Sequence, residues 1–133
     1  MKYLLDTNVC IDLIKNRSAV VARAASVSPD DCAVSAVTVY ELFHGAEKAR
    51  DANAERQHVE LLLSTVAELP FGTRAAEAAA KVRARLESTG NVIGPFDLLL
   101  AGHVLSTGLT FVTDNVTEFN RVEGSTIENW RTT

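Results

Sequence analysis

Three acidic residues lie far apart in the sequence, yet each falls where an α/β fold would bring it to one edge of a sheet. Asp6 follows a short apolar run, Glu41 lies in the second turn of a predicted helix, and Asp97 lies in the first turn of another. In a small domain, converging carboxylates are typical of a site that holds a divalent metal ion against a phosphate. The sequence therefore predicts a metal-dependent nuclease.

Each of these acids also has a simpler interpretation. Asp6 could have no role beyond capping the helix that follows it, and Asp97 could have no role beyond offsetting the dipole of its own helix. Glu41 could be an exposed helical glutamate, although its apolar neighbours favour partial burial and a partner. Together the three acids are more informative than any one of them. Carboxylates brought close together repel, and Mg²⁺ or Mn²⁺ would remove that penalty with oxygen ligands.

The elements that would position these acids follow from the apolar patterns. Short apolar runs predict strands at residues 2–5, 32–35, 66–69, 109–112 and 125–127. Helical patterns alternate with them, and the helices beginning near residues 36 and 52 predict a helical hairpin. This order predicts an α/β fold, with a parallel central sheet of four to five strands and helices on both faces. Ligands of such sheets bind beyond the carboxyl ends of the strands.

The composition indicates a single globular domain covering residues 1–133. The first strand is followed at once by Asp6, so no apolar run approaches the length of a signal segment or a membrane span. We therefore expect a cytoplasmic protein with no membrane association. Cys10 and Cys32 are the two cysteines, without C-x-x-C spacing, which argues against a zinc site or a disulfide framework. Both are expected to be buried.

The net charge of −4 is unfavourable for binding a polyanion, because nucleic-acid affinity comes mainly from Lys and Arg. Two divalent cations at the acids would bring that charge to zero and leave the basic residues to set the surface field. One helix carries a basic stripe of RNA-contact candidates, Arg74, Lys81 and Arg85. A solvated helix face is the simpler interpretation of that stripe. Alternative contacts lie around the tip of the hairpin, at Lys48, Arg50 and Arg56.

Four groups of residues, in this order along the chain, carry a family resemblance. They are Leu5-Asp6-Thr7-Asn8; Ser35, Thr38, Glu41-Leu42 and Gly45; residues 93–101 around Gly94-Pro95-Phe96-Asp97; and residues 111–115 through Glu118-Phe119 to Ile127-Glu128-Asn129-Trp130. This set resembles the PIN-domain ribonucleases of VapC type, the toxins of bacterial toxin–antitoxin pairs. The resemblance covers nearly the whole chain. The ordered set is specific, whereas Asp-Thr-Asn alone would be weak.

The resemblance implies a PIN-like, single-domain endoribonuclease that depends on Mg²⁺ or Mn²⁺, with its catalytic and metal-binding acids at Asp6, Glu41 and Asp97. The family normally takes a fourth acidic ligand from the loop after the fourth strand. Asn115 and Glu118 are expected to contribute there, with Asp114 as the competitor. The threonines at positions 7 and 113 are expected to fix the carboxylate rotamers, and Asn8 is expected beside them.

The resemblance also implies a reaction and partners. Water would attack the RNA phosphodiester in line, and no side-chain nucleophile is needed. A single-stranded loop presents a reachable phosphate, and the anticodon loop of an initiator tRNA is a candidate target. The family implies a homodimer and a toxin–antitoxin hetero-oligomer. In that complex an arginine-bearing tail of the cognate antitoxin would reach the acid cluster.

Other classes of protein match the sequence less well. A haloacid-dehalogenase-like phosphatase needs a second aspartate where Asn8 stands, and a response-regulator receiver needs an acidic pair and a late lysine that the sequence does not show. A PIN-like nuclease of other RNA or DNA outside toxin–antitoxin systems stays open. So does a noncatalytic binding module, although the intact acid trio argues against it.

Overall fold

A computed structural model describes residues 1–132 of the chain. Within them lie five strands and seven α-helices. The strands are β1 Tyr3–Leu5, β2 Cys32–Ser35, β3 Ala67–Leu69, β4 Thr110–Val112 and β5 Thr126–Glu128. The helices are α1 Thr7–Ile14, α2 Ser18–Ala25, α3 Ala36–Glu47, α4 Ala52–Leu63, α5 Thr73–Thr89, α6 Pro95–Thr107 and α7 Val116–Phe119. Residue 133, the last of the predicted single domain, lies outside the described residues.

The strands form one parallel sheet in the order β3-β2-β1-β4-β5. The central strand β1 pairs with β2 on one side and with β4 on the other, so the chain reverses its direction of travel across the sheet at β1. This reversal leaves a crevice between the carboxyl ends of the two flanking strands, which is where ligands bind in open α/β sheets. The predicted parallel sheet is confirmed, with five strands.

Successive residues of the strands point to opposite faces of the sheet and build two cores. One face buries Leu4, Ala33 and Phe111, and the other buries Leu5, Val34 and Val112. Side chains from α5 and α6 complete the first core, and side chains from α1 to α4 complete the second. Helices therefore cover both faces, as predicted, and near-continuous apolar strands are the expected consequence.

Two helical pairs flank the sheet. The predicted hairpin is formed by α3 and α4, which pack against each other, and the second pair is α5 with α6. Gly102 of α6 lies so close to α5 that a Cβ atom there would fall 2.3 Å from the backbone nitrogen of Ala79. At Gly90 the chain adopts φ 72° and ends α5, a conformation that glycine adopts readily. This packing fixes the position of α6, the helix that carries Asp97.

The structure differs from the predictions mainly in short elements. The four-residue helix α7 was not predicted, because a single turn is too short to show helical periodicity. The bounds of most strands shift by one residue. Cys10 and Cys32 are buried and unpaired, as expected. In residues 1–132 no helix is long and apolar enough to cross a membrane.

Candidate active site

The carboxylate of Asp6 is fixed at the carboxyl end of the central strand. Its Oδ1 accepts a hydrogen bond of 2.7 Å from the backbone N–H of Thr7, so Asp6 caps α1. Its Oδ2 accepts a second bond of 2.7 Å from the hydroxyl of Thr113, which follows the adjacent strand β4. Asp6 and Thr113 are both buried. Two neighbouring strands thus hold this carboxylate in one orientation, and the predicted role of Thr113 as a carboxylate partner is matched by this contact.

Glu41 reaches the same edge from α3, which begins directly after β2. The hydroxyl of Ser35 accepts a hydrogen bond from the N–H of Val37 and caps that helix. One helical turn and a half later, Glu41 Oε1 accepts a hydrogen bond of 2.7 Å from the hydroxyl of Thr7. The Thr7 hydroxyl also lies 3.1 Å from that of buried Thr38. Thr7 therefore joins the Asp6 and Glu41 carboxylates, one through its N–H and one through its hydroxyl.

Asp97 and Glu118 form the other side of the cluster. Asp97 lies in the first turn of α6, as predicted, and Pro95 is the first residue of that helix. Glu118 comes from α7, and its Oε1 accepts a hydrogen bond of 2.9 Å from the N–H of Gly94. The amide of Asn115 donates to Oε2 of Glu118. The loop after β4 thus brings Glu118 beside Asp97, with Asn115 as its support.

The pKa values of two acids show that the four carboxylates share one electrostatic environment. Burial raises the pKa of Asp6 to about 6, helped by the charges of Glu41 and Asp114 and opposed by the hydrogen bonds from Thr113 and Thr7. Burial also raises the pKa of Asp97 to about 7, and Glu118, Asp6 and Glu41 add to that shift. Such mutual repulsion is the property that a bound cation would relieve.

Asp114 faces a different partner. Its Oδ2 accepts a hydrogen bond of 2.8 Å from Nη1 of Arg131, and its Oδ1 lies 3.4 Å from the amide nitrogen of Asn8. The same guanidinium also binds both carboxylate oxygens of buried Asp12, at 2.7 and 3.0 Å. Among the three candidates for the fourth position, Glu118 therefore lies with Asp97, Asn115 supports Glu118, and Asp114 is engaged by Arg131.

Arg131 and Asp12 were missed at the level of sequence, although a signal was present. Asp12 interrupts the apolar face of α1, and a charged residue in such a position usually requires a partner. Its partner lies 119 residues further along the chain, so local spacing could not identify it.

The donor set of the cluster suits a hard divalent cation, because it consists of carboxylate and amide oxygens with two raised pKa values. As they stand in residues 1–132, however, no three His, Cys, Asp or Glu side chains are grouped closely enough to hold a metal ion. Hydrogen bonds with Thr7, Gly94 and Asn115 occupy oxygens of Glu41 and Glu118. Each carboxylate keeps lone pairs that could ligate a cation, so binding requires the acids to move closer together rather than to lose these bonds. By their chemistry, the residues of the cluster fit a divalent cation.

The basic stripe lies on a separate surface. Arg74, Lys81 and Arg85 line a groove between α5 and the segment after α7, together with Arg121. Arg85 is 3.0 Å from the carboxylate of Glu123 in the same groove. A different cleft adjoins Thr7, Asn8 and Glu41, and the cation that lines it is Lys48 of the hairpin. Of the hairpin alternatives, the structure thus places Lys48, but not Arg50 or Arg56, in the cleft beside Glu41.

Comparison with known proteins agrees with this geometry. The family model described as "PIN domain" matches residues 3–124. A protein of Shigella flexneri named "tRNA(fMet)-specific endonuclease VapC" is 38% identical over 130 residues, with 98% of each chain covered. A protein of Haemophilus influenzae (strain ATCC 51907 / DSM 11121 / KW20 / Rd) named "Ribonuclease VapC2" is 35% identical over 130 residues, again with 98% of each covered.

Solved structures extend the similarity to three dimensions. The chain is similar to one in the crystal structure of DNA-bound VapBC from Salmonella typhimurium, with a TM-score of 0.92, 37% identity and 98% of both chains covered. It is also similar to one in the DNA-bound VapBC2 complex from Rickettsia felis, with a TM-score of 0.89, 27% identity and coverage of 98% and 99%. The chain belongs to the PIN-domain family and, within it, to the VapC ribonucleases of toxin–antitoxin systems.

Proposed function

We propose that this VapC ribonuclease is a Mg²⁺- or Mn²⁺-dependent endoribonuclease whose catalytic acids are Asp6, Glu41 and Asp97, with Glu118 as the fourth. The observation that carries this proposal is the convergence of acids from separated segments at one edge of the sheet, where burial and neighbouring carboxylates raise the pKa of Asp6 and of Asp97. A structural role alone would not require acids that destabilise one another when ionised.

Each member of the cluster has a distinct task in this proposal. Asp6, Glu41 and Asp97 would hold the cation, and Glu118 would complete the set, in part through water. Bound there, a divalent cation supplies Lewis-acid stabilisation of the negative charge on the reacting phosphodiester. Thr7 and Thr113 keep the carboxylates of Glu41 and Asp6 in fixed rotamers, so less ordering is needed when the site fills.

Asn115 has a supporting task. Its amide donates to Glu118, and its own N–H donates to the hydroxyl of Thr113 at 3.0 Å. Asn115 therefore links the Glu118 side of the cluster to the Asp6 side. Asp114 is assigned to the surroundings of the site, because its carboxylate is engaged by Arg131.

We propose an initiator tRNA as the substrate. The support is the identity of 38% and 37% to proteins of Shigella flexneri and Salmonella typhimurium that are both named "tRNA(fMet)-specific endonuclease VapC". Unpaired loops present the phosphates and base edges that a shallow surface site can reach, so an anticodon loop fits this kind of cleft.

We further propose a cognate antitoxin as a protein partner, in a hetero-oligomer with a homodimer of this chain. The support is that the similar solved structures from Salmonella typhimurium and Rickettsia felis are VapBC complexes bound to DNA. An antitoxin side chain with a guanidinium group would be attracted to the acid cluster by the same negative charge that favours a cation.

The test is RNA cleavage by single-residue variants that keep the shape of the site. Asp6→Asn and Asp97→Asn should each lower kcat for a tRNA substrate at least about 100-fold, because each removes one cation ligand. Thermal melting checks that the variants are folded. Full activity in both variants would refute the assignment of these acids. Cleavage of DNA or unrelated RNA in preference to tRNA would retain the site and reject the proposed substrate.

A further inference from the structure

A group of exposed aromatic side chains lies directly beside the acid cluster. Tyr40 and Phe96 are 54% and 41% exposed, among the most exposed large apolar side chains of the described residues. Each is the immediate chain neighbour of a proposed catalytic acid, Tyr40 of Glu41 and Phe96 of Asp97. Aromatic surface left in water beside a charged site is costly, so its position calls for an explanation.

The rings form one surface rather than isolated positions. The ring centroids of Tyr40 and Phe96 are 5.4 Å apart, with planes tilted by 42°. The imidazole of His44 lies almost parallel to the Tyr40 ring, at 8° and a centroid distance of 6.1 Å. We call Tyr40, His44 and Phe96 the aromatic platform. It joins α3 to the start of α6, the two helices that supply Glu41 and Asp97.

The aromatic platform and Glu41 of the acid cluster line the same cleft. Tyr40, His44 and Phe96 line that cleft together with Thr7, Asn8 and Glu41. Lys48, an exposed cation one helical turn after His44, lines it as well. The cleft thus combines flat apolar faces, a cation, and an edge where a phosphodiester would be cut. This combination matches a single-stranded nucleic acid, in which a base offers a π-face and the backbone offers negative charge.

We propose that the aromatic platform stacks unpaired nucleobases of the RNA next to the scissile phosphate, with Lys48 contacting the backbone. This inference rests on the proposed ribonuclease function and adds a binding site to it. Each stacked base would contribute to RNA binding whatever its identity, because every base has a π-face. The platform also explains a preference for loops, since paired bases are already stacked on their neighbours.

The test separates ring loss from other changes by using matched variants. Tyr40→Leu and Phe96→Leu keep apolar volume but remove the ring, and Tyr40→Phe keeps the ring. Each leucine variant should raise KM for a single-stranded RNA about 5-fold or more with little change in kcat, as expected from loss of one stacked base. Tyr40→Phe should have the same KM as the wild type. Leu61→Ala, an exposed apolar position on α4, is the control that leaves KM unchanged.

Abasic RNA gives a readout that a purely structural role would not move. Removing the bases that flank the cut should raise KM of the wild type by a similar factor. It should have little further effect on the leucine variants, because the ring and the base are partners in one contact. If the wild type cleaves RNA and both leucine variants have the same KM as the wild type, the stacking proposal is overturned and the proposed ribonuclease function stands. Loss of antitoxin binding or self-association with KM unchanged would assign the surface to a protein partner.

Discussion

At the scale of residues, the candidate site is a set of carboxylates held against their mutual repulsion. Asp6 and Asp97 have folded pKa values of about 6 and about 7, above the ordinary 3.8. A carboxyl group with a raised folded pKa stabilises the protein below its ordinary pKa. That contribution is lost as the pH rises through the folded value. Without a cation, these two groups should therefore lower stability progressively from pH 3.8 to about 7.

This sign gives a prediction for metal binding. At about pH 8, saturating Mg²⁺ or Mn²⁺ should raise the melting temperature of the wild type by several degrees, since ligand at 100 times its Kd adds about 2.7 kcal/mol. At about pH 5 the shift should become small, because protonated carboxyls ligate poorly. Differential scanning fluorimetry at the two pH values measures both effects.

Asp97→Asn is the informative variant for that experiment. It should melt at a higher temperature than the wild type in chelator at about pH 8, because one repelling charge is gone. It should also lose most of the metal shift. A metal shift of wild-type size in this variant would place the cation elsewhere.

At the scale of elements, the position of Asp97 depends on how closely α6 approaches α5. Gly102 allows that approach, and a methyl group there would collide with the backbone nitrogen and Cα of Ala79, at 2.3 and 2.4 Å. Backbone atoms cannot move aside as the end of a side chain can. The helix pair therefore needs glycine at this position. A shift of α6 away from α5 would also move the first turn of α6, which carries Asp97.

We expect Gly102→Ala to lower the free energy of unfolding by about 3 kcal/mol, the upper part of the range for overpacked cores. The matched control is Gly45→Ala in α3, where an added Cβ meets nothing within 4 Å. That variant should be more stable by about 0.5–1 kcal/mol, because alanine is the better helix former. Urea denaturation measures both changes. Equal stabilities of the two variants would contradict the close approach of α5 and α6.

The helices and strands also show where sequence patterns reach their limit. The cap at Asp6 acted as the sequence indicated, because capping chemistry is local. Ser35 and Pro95 at helix starts and Gly90 at a helix end follow the same local chemistry. The single-turn helix α7 was not predicted. Its carboxylate, Glu118, consequently could not be distinguished from Asp114 by spacing alone.

At the scale of the whole molecule, the acids converge at one edge of the parallel sheet, and most basic residues lie on other surfaces. The net charge of −4 makes the general approach of RNA unfavourable. The groove lined by Arg74, Lys81, Arg85 and Arg121 offers a local exception, although it is separate from the cleft beside Glu41. A substrate as large as tRNA could contact the groove and the cleft together.

Charge reversal tests that contact. The double variant Arg74→Glu and Lys81→Glu should raise KM for tRNA, leave kcat nearly unchanged and lower the salt dependence of KM, because each lost phosphate contact removes counterion release. Arg83→Glu and Lys2→Glu together make the matched control, since Arg83 lies on α5 but lines a different cleft. If the groove variant and the control have the same KM, the stripe is only a solvated helix face.

The sequence by itself determined most of the secondary structure, the parallel sheet and the sheet edge toward which the acids converge, because apolar periodicity and capping act over a few residues. It also indicated that Asp6, Glu41 and Asp97 form one group. Tertiary structure decided which of the candidates lies beside Asp97, because Arg131 engages Asp114 together with buried Asp12 while Glu118 contacts Asp97. It also decided that Tyr40 and Phe96 meet, since contacts between distant segments depend on how helices pack and not on spacing along the chain.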